Sequence, residues 1–199
     1  MSGSQLDPLE INSQTGEHFL RLPAPNDNII LTPPRTGDVK SLAPIINDPR
    51  VSTWLEGPPI PYHDEDAKEW LGIIVKQSEH VLAGLREEDQ INADGPLKLV
   101  GECPVRHIRE VLPDGKDVYI GDIRILRAPM EEVLDAEERK RAVEANEGKV
   151  IGDPSIVWTF GCRDFFHLRR TRTDWLVRLP CAIAPRTRDH ERGDGDDIE

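Results

Sequence analysis

A chain of 199 residues is long enough for one globular domain and short for two. With 37 acidic against 25 basic side chains the formal net charge is −12. That excludes the basic footprint nucleic acid requires, and an anionic membrane surface as partner. A basic substrate would be attracted, although acidic character alone is common among soluble chains.

Hydrophobic residues make up 37% of the chain, enough for a sizeable core, while 31% are charged. Cys103, Cys162 and Cys181 are far apart, odd in number and form no C-x-x-C pair, so neither a zinc nor a redox motif is signalled. Reduced thiols are the expectation. No basic stretch leads into an apolar signal core, and no run approaches the ~18 apolar residues of a membrane span. The expected product is a soluble, cytoplasmic protein.

Residues 1 to 27 are polar, carry Pro8, Pro23 and Pro25, and read as a flexible N-terminal arm. Asn28 to Thr32 is a short apolar run closed by Pro33-Pro34, and predicts the first strand. Arg35 to Asp38 offers a helix start, and Val39, Leu42, Ala43, Ile45 and Ile46 follow at helical spacing until Asn47-Asp48-Pro49. A second short helix carries Val51, Trp54 and Leu55, before a loop from Gly57 to Tyr62. The longest helix follows, with Asp64 as its cap and acids suiting the positive end of the dipole. Its stripe of Ala67, Trp70, Leu71, Ile74, Val75, Ser78, Leu82 and Leu85 must pack on a sheet.

Residues 86 to 96 form an acidic loop, and Leu97 to Val111 reads as a strand. Pro113-Asp114-Gly115 turns the chain into a second strand, Val118 to Leu126, making an antiparallel hairpin. Strict alternation puts Val118, Ile120, Asp122, Arg124 and Leu126 on one face, with Tyr119, Gly121, Ile123 and Ile125 on the other. Residues 129 to 149 form a charged insert expected as a surface helix, and Ser155 to Phe160 is the last strand signal. Helices do not alternate with strands, so the pattern is α/β of the α+β kind and not a doubly wound repeat.

This order resembles the GNAT N-acetyltransferases, in the branch similar to ribosomal-protein alanine acetyltransferases. The residues that carry the resemblance are Ile29 to Asp38, Asn47-Asp48-Pro49-Arg50-Val51, Trp54 to Pro59 with Pro61-Tyr62, and Asp66 to Leu71. Gly121-Asp122-Ile123 and Val157-Trp158-Thr159 match the family's third and fourth strands, so the likeness covers residues 28 to about 161. The implied fold is a mixed, mostly antiparallel sheet flanked by helices, with residues 28 to 161 as a partial N-acetyltransferase domain. The implied activity is direct transfer of acetyl from acetyl-CoA to a primary amine, on a small molecule or a protein N-terminus.

By the resemblance, Trp54 and Tyr62 sit on the helix-loop that closes over the acceptor amine. Trp54 equally reads as a core anchor, and Tyr62, between Pro61 and His63, reads as exposed. Backbone groups of Trp158, Thr159 and Phe160 are the candidate contact for acetyl-CoA; a plain core strand is the competing reading. Asp122 and Glu102 are the candidate catalytic carboxylates, each also readable as an ordinary surface or cross-strand partner. His63, His80 and His107 have no partner at metal-ligand spacing and read as satisfied histidines.

Beyond Gly161 the chain departs from the family. No glycine occurs between Gly161 and Gly193, so the backbone lacks the close approach that a pyrophosphate loop at a helix N-terminus needs. Residues 162 to 199 hold eight arginines and no lysine, whereas residues 1 to 161 hold ten arginines and seven lysines. The Arg169-Arg170-x-Arg172 cluster suits a phosphate or nucleic acid, or else is an out-of-frame tail or a solvated run. The segment is expected to be a disordered or non-native Arg-rich tail, arising from a shifted reading frame. Two other readings follow: a catalytically inactive, binding-only relative, and a truncated product whose edge strand lacks its cover.

A one-base shift necessarily creates a glycine across the Trp175 and Leu176 codons, and permits a glycine-rich loop from Leu168 onward. Sequencing the transcript across codons 155 to 199 is expected to show that second frame. An unbroken frame, as written, would sink the idea.

Overall fold

The first regular structure lies in the segment that reads as an arm. The computed structural model describes residues 4 to 164, apart from Trp54, Glu56 and Asp94. Within them β1 (Glu10–Ile11) pairs with β2 (His18–Arg21), and β2 pairs with β3 (Ile29–Thr32), all antiparallel. Strands of two and four residues are too short for a periodic signal, so the sheet edge of β3 decides their conformation. Gln5, ahead of β1, is buried; its amide donates to the Asn92 carbonyl (3.0 Å) and accepts from the Lys98 N–H (2.7 Å).

After β3 a 3₁₀ turn over Thr36–Asp38 leads into α1 (Val39–Ile46), then α2 (Pro49–Ser52) and α3 (Asp64–Asn92). In α2 the Asp48 carboxylate caps the helix by accepting from the Arg50 N–H at 2.9 Å, and Pro49 stands at its start, where a missing N–H costs nothing. The cap of α3 is one residue earlier than expected. His63 is the N-cap, and the Asp66 carboxylate reaches back to its N–H at 2.8 Å. Ala67, Leu71, Ile74, Ser78, Leu82 and Leu85 are buried at steps of three and four residues, which gives α3 one continuous inward stripe.

The strand expected from Leu97 is confined to β4 (His107–Val111). β5 (Asp117–Arg127) returns along it, α4 (Ala136–Glu147) is the charged insert, and β6 (Trp158–Asp164) closes the described chain. Among the described residues the result is an α+β architecture: one six-stranded sheet in the order β1-β2-β3-β4-β5-β6, every pairing antiparallel, with four helices. The sheet expected to be mixed therefore has no parallel pair among the described residues. The expectations for residues 165 to 199 lie outside them.

Two apolar clusters hold the layers together. Leu42, Ile45, Ile46, Tyr62, Ala67, Leu71, Ile74 and Tyr119 join α1 and α3 to the sheet. Leu22, Ile29, Leu31, Val105, Ile108 and Ile123 form the second. Asn146, 2% exposed, fixes α4 beside the start of β6: its amide donates to the Val157 carbonyl (2.8 Å) and accepts from the Val157 N–H (2.9 Å). No described helix is long and apolar enough to cross a membrane.

Leu71 is 1% exposed at the centre of the first cluster. Leu71→Ala is expected to lower unfolding free energy by about 2–5 kcal/mol in urea titrations, because the gap cannot close fully. A loss below about 0.5 kcal/mol would contradict this placement.

Candidate functional site

The sheet presents two rows of directly opposed residues. Thr32, His107 and Asp122 are successive cross-strand neighbours on β3, β4 and β5, and Ile30, Arg109 and Tyr119 form the row beside them. Period-two alternation assigns Tyr119 and Asp122 to opposite faces, and the structure corrects this. Ile108 opposes Gly121 while Arg109 opposes Tyr119, which leaves Ile120 as an extra residue. That bulge turns Tyr119 and Asp122 to the same face.

Over this face lies a cavity of about 410 Å³. Its floor is His107, Tyr119, Asp122 and Arg124; its walls are Leu42, Ile45 and Ile46 of α1, the Gly57-Pro58-Pro59 loop with Tyr62, and Asp66, Glu69, Trp70 and Ile73 of α3. The loop is held by a two-way clamp. The Asn47 amide donates to the Tyr62 carbonyl and its oxygen accepts from the Tyr62 N–H, both at 2.7 Å.

The chemistry beneath the floor centres on Asp38, buried at the start of α1. One of its oxygens, Oδ2, accepts from Arg109 Nη2 at 2.6 Å, lies 2.7 Å from His107 Nδ1, and accepts from the Arg35 N–H at 3.1 Å. Arg109 also donates to the Thr32 hydroxyl (2.8 Å). Further out, the Arg35 guanidinium bridges Glu17 of the N-terminal hairpin (2.9 Å) and Asp117 of β5 (2.7 Å). Its pKa is raised, mainly by the hydrogen bond to Glu17.

Burial pushes the Asp38 carboxyl upward, but the His107 hydrogen bond and the Arg109 charge outweigh it, and the group sits below its ordinary value. His107 is 1% exposed, and burial holds its pKa below 6.5 despite Asp38 and Asp122 nearby. A neutral imidazole against a carboxylate carries its proton on Nδ1, which leaves Nε2 as the acceptor nitrogen. The ring stacks, tilted, on Tyr119 with centroids 4.7 Å apart.

A second cavity of about 190 Å³ adjoins the first, sharing Trp70 and Arg124 with it. Arg106 lines it, with one guanidinium nitrogen on Asp122 at 2.8 Å and the guanidinium carbon 5.7 Å from the Trp70 ring centroid. Among the described residues, Arg106 Nε, a buried side-chain nitrogen, has no hydrogen-bond partner. Such a donor is costly to leave unpaired.

The predicted residues separate. Trp54 lies outside the described residues. Tyr62 is not exposed as its proline neighbour implies: it is 6% exposed, in the cavity wall, because the Asn47 clamp pulls it inward. Asp122 is on the cavity floor, ion-paired with Arg106. Glu102 lines only the smaller cavity. Trp158, Thr159 and Phe160 are on β6, with Trp158 and Phe160 39% and 53% exposed, and line neither cavity. His63 caps α3 and His80 is exposed. Asp38, Arg106 and Glu69 were given no site role, and His107 was read as a satisfied histidine; the legible signal was the polar alternation His107-x-Arg109 in a strand that faces a helix layer. No family model, curated protein or solved structure matches this chain.

Replacing Asp38 with alanine leaves the Arg109 charge buried without its main partner, and is expected to cost about 3–5 kcal/mol in chemical unfolding. The pH dependence has a definite sign. Below about 6.5 the unfolded state protonates His107 before the folded state does, so stability falls as pH drops. Asp38 extends the loss below its ordinary 3.8, until pH passes its lowered folded value. Thermal unfolding from pH 8 to 3 checks both limbs; a midpoint that rises between pH 6.5 and 5 would refute the neutral, buried His107.

Proposed function

We propose that the chain is an N-acetyltransferase-like domain that transfers acetyl from acetyl-CoA to a primary amine by direct attack. The observation that carries the reading is the cavity between α1, α3 and the sheet. Asp66, Glu69 and Asp122 line it against one cation, Arg124, in a volume ordinary for a small-molecule site. An ammonium group is the ligand such a lining selects. Its size suits a small amine, or the terminal residue of a protein.

The adjoining cavity supports a place for the acyl group. Arg106 lines this cavity, and its guanidinium would suit a carbonyl oxygen and the charge developing on it. β6 ends the sheet order among the described residues, and the backbone of its Trp158, Thr159 and Phe160 is the candidate partner for the amide groups of the pantetheine arm.

The pyrophosphate end has no such support. The chain lacks any glycine from 162 to 192, and this favours a second reading, a binding-only relative that holds amines without transferring acetyl.

Calorimetry on the full chain separates the two. Binding of both acetyl-CoA and n-butylamine is expected, with D66N/E69Q weakening the amine about tenfold and leaving acetyl-CoA unchanged. Amine binding without acetyl-CoA binding would select the binding-only reading. Amine affinity indifferent to both carboxylates would reject the site itself.

A further inference from the structure

The acetyl-transfer reading leaves open which group takes the proton from the amine, and the cavity holds one group built for that. We propose that His107 is the general base, with Asp38 as its positioning residue; this inference rests on the acetyl-transfer reading.

Three independent features meet at this ring. It stands on the cavity floor, directly opposite Asp122 on the neighbouring strand, where the acidic lining gathers an ammonium group. Its Nδ1 is tied to Asp38 at 2.7 Å, and the same carboxylate oxygen is held by Arg109 at 2.6 Å and by the Arg35 N–H, so the imidazole can neither turn nor change tautomer cheaply. With Nδ1 held by Asp38, Nε2 is the ring nitrogen left to accept a proton. Burial keeps the imidazole neutral, the form that accepts a proton.

The carboxylates first suggested by the sequence are poorer bases. Asp122 is engaged by Arg106, and Glu102 faces the other cavity. The charged and titratable groups around the imidazole are Asp38 at the start of α1, Arg109 on the same strand, Tyr119, Asp122 and Arg124 on β5, with Tyr62, Asp66 and Glu69 across the cavity. The carboxylates favour the imidazolium once it forms, and Arg109 opposes it.

The step balances simply. Nε2 takes one proton from R–NH₃⁺, giving imidazolium and R–NH₂. The amine lone pair forms the C–N bond to the thioester carbonyl carbon, the C–S bond breaks, and the sulfur leaves as thiolate. The nitrogen sheds its second proton to become the amide, so the thiolate and the imidazole between them account for both protons.

The test is the pH profile of acetylation of n-butylamine by the full chain, read as free thiol released from acetyl-CoA. Wild type is expected to show kcat/KM level from about pH 7 up to the amine's own pKa near ~10. H107Q keeps a donor for Asp38 but has no base. It is expected to lose about 10²–10⁴-fold at pH 7 and to gain tenfold per pH unit, since only free amine then reacts, with amine affinity within about threefold of wild type.

A variant within threefold of wild type, with the same level profile, overturns the role of His107 and leaves the acetyl-transfer reading intact. A wild-type chain that releases no thiol at any pH overturns both. Should H107Q fail to unfold cooperatively, imidazole ¹⁵N spectra of the wild type decide. Protonated Nδ1 and bare Nε2 at pH 7, with Nε2 shifting on addition of n-butylamine, support the proposal. A proton on Nε2, or no shift at saturating amine, overturns it.

Discussion

The carboxylate of Asp38 is the interaction on which the rest of this structure depends. A buried negative charge is tolerable only where donors converge on it. Here they come from three parts of the chain: the backbone of Arg35, the imidazole of His107 and the guanidinium of Arg109. The first helix is thereby locked to the centre of the sheet at its N-terminal end. Arg109 passes the constraint on to Thr32, while the Arg35 side chain carries it to Glu17 and Asp117. Elements from the N-terminal hairpin to β5 are thus tied to one carboxylate.

A site follows from that constraint because one of those donors, His107, stands in the floor of the cavity. Apolar packing from α1 and α3 covers the sheet but leaves a gap over His107, Tyr119 and Asp122. The bulge at Ile120 is what places the last two side by side; without it Tyr119 would face away from Asp122. The Asn47 clamp closes the far wall by fixing Tyr62. Polar groups at the bottom of an apolar gap are oriented by their partners before any ligand arrives, and this favours binding and proton transfer alike.

The proposed chemistry uses the two cavities differently. The larger, acidic one suits a cationic amine, and the smaller one is lined by Arg106. Trp70 and Arg124 border both, so ligands in the two cavities would meet there. On this proposal, amine and acyl recognition would be separable from phosphate recognition, for which the described residues supply no loop.

Much of the fold was legible from residues 28 to 161. The apolar spacing of Ala67 to Leu85 demanded a long helix with one buried face, Pro113-Asp114-Gly115 demanded a hairpin, and Asn47-Asp48-Pro49 ended one helix and began another. These are local effects, decided within a turn or two of chain. The N-terminal hairpin was not legible, because strands of two and four residues are stabilised by the edge they join and not by their own composition. Tyr62 looked exposed, and Tyr119 appeared on the wrong face, because a side-chain clamp 15 residues away and a single-residue bulge decide those orientations. The sequence by itself determined the order of elements and the acidic character of the chain. Only the tertiary structure decided that Asp38 and His107, 69 positions apart, share a hydrogen bond, since cross-strand register and helix docking leave no mark on local periodicity.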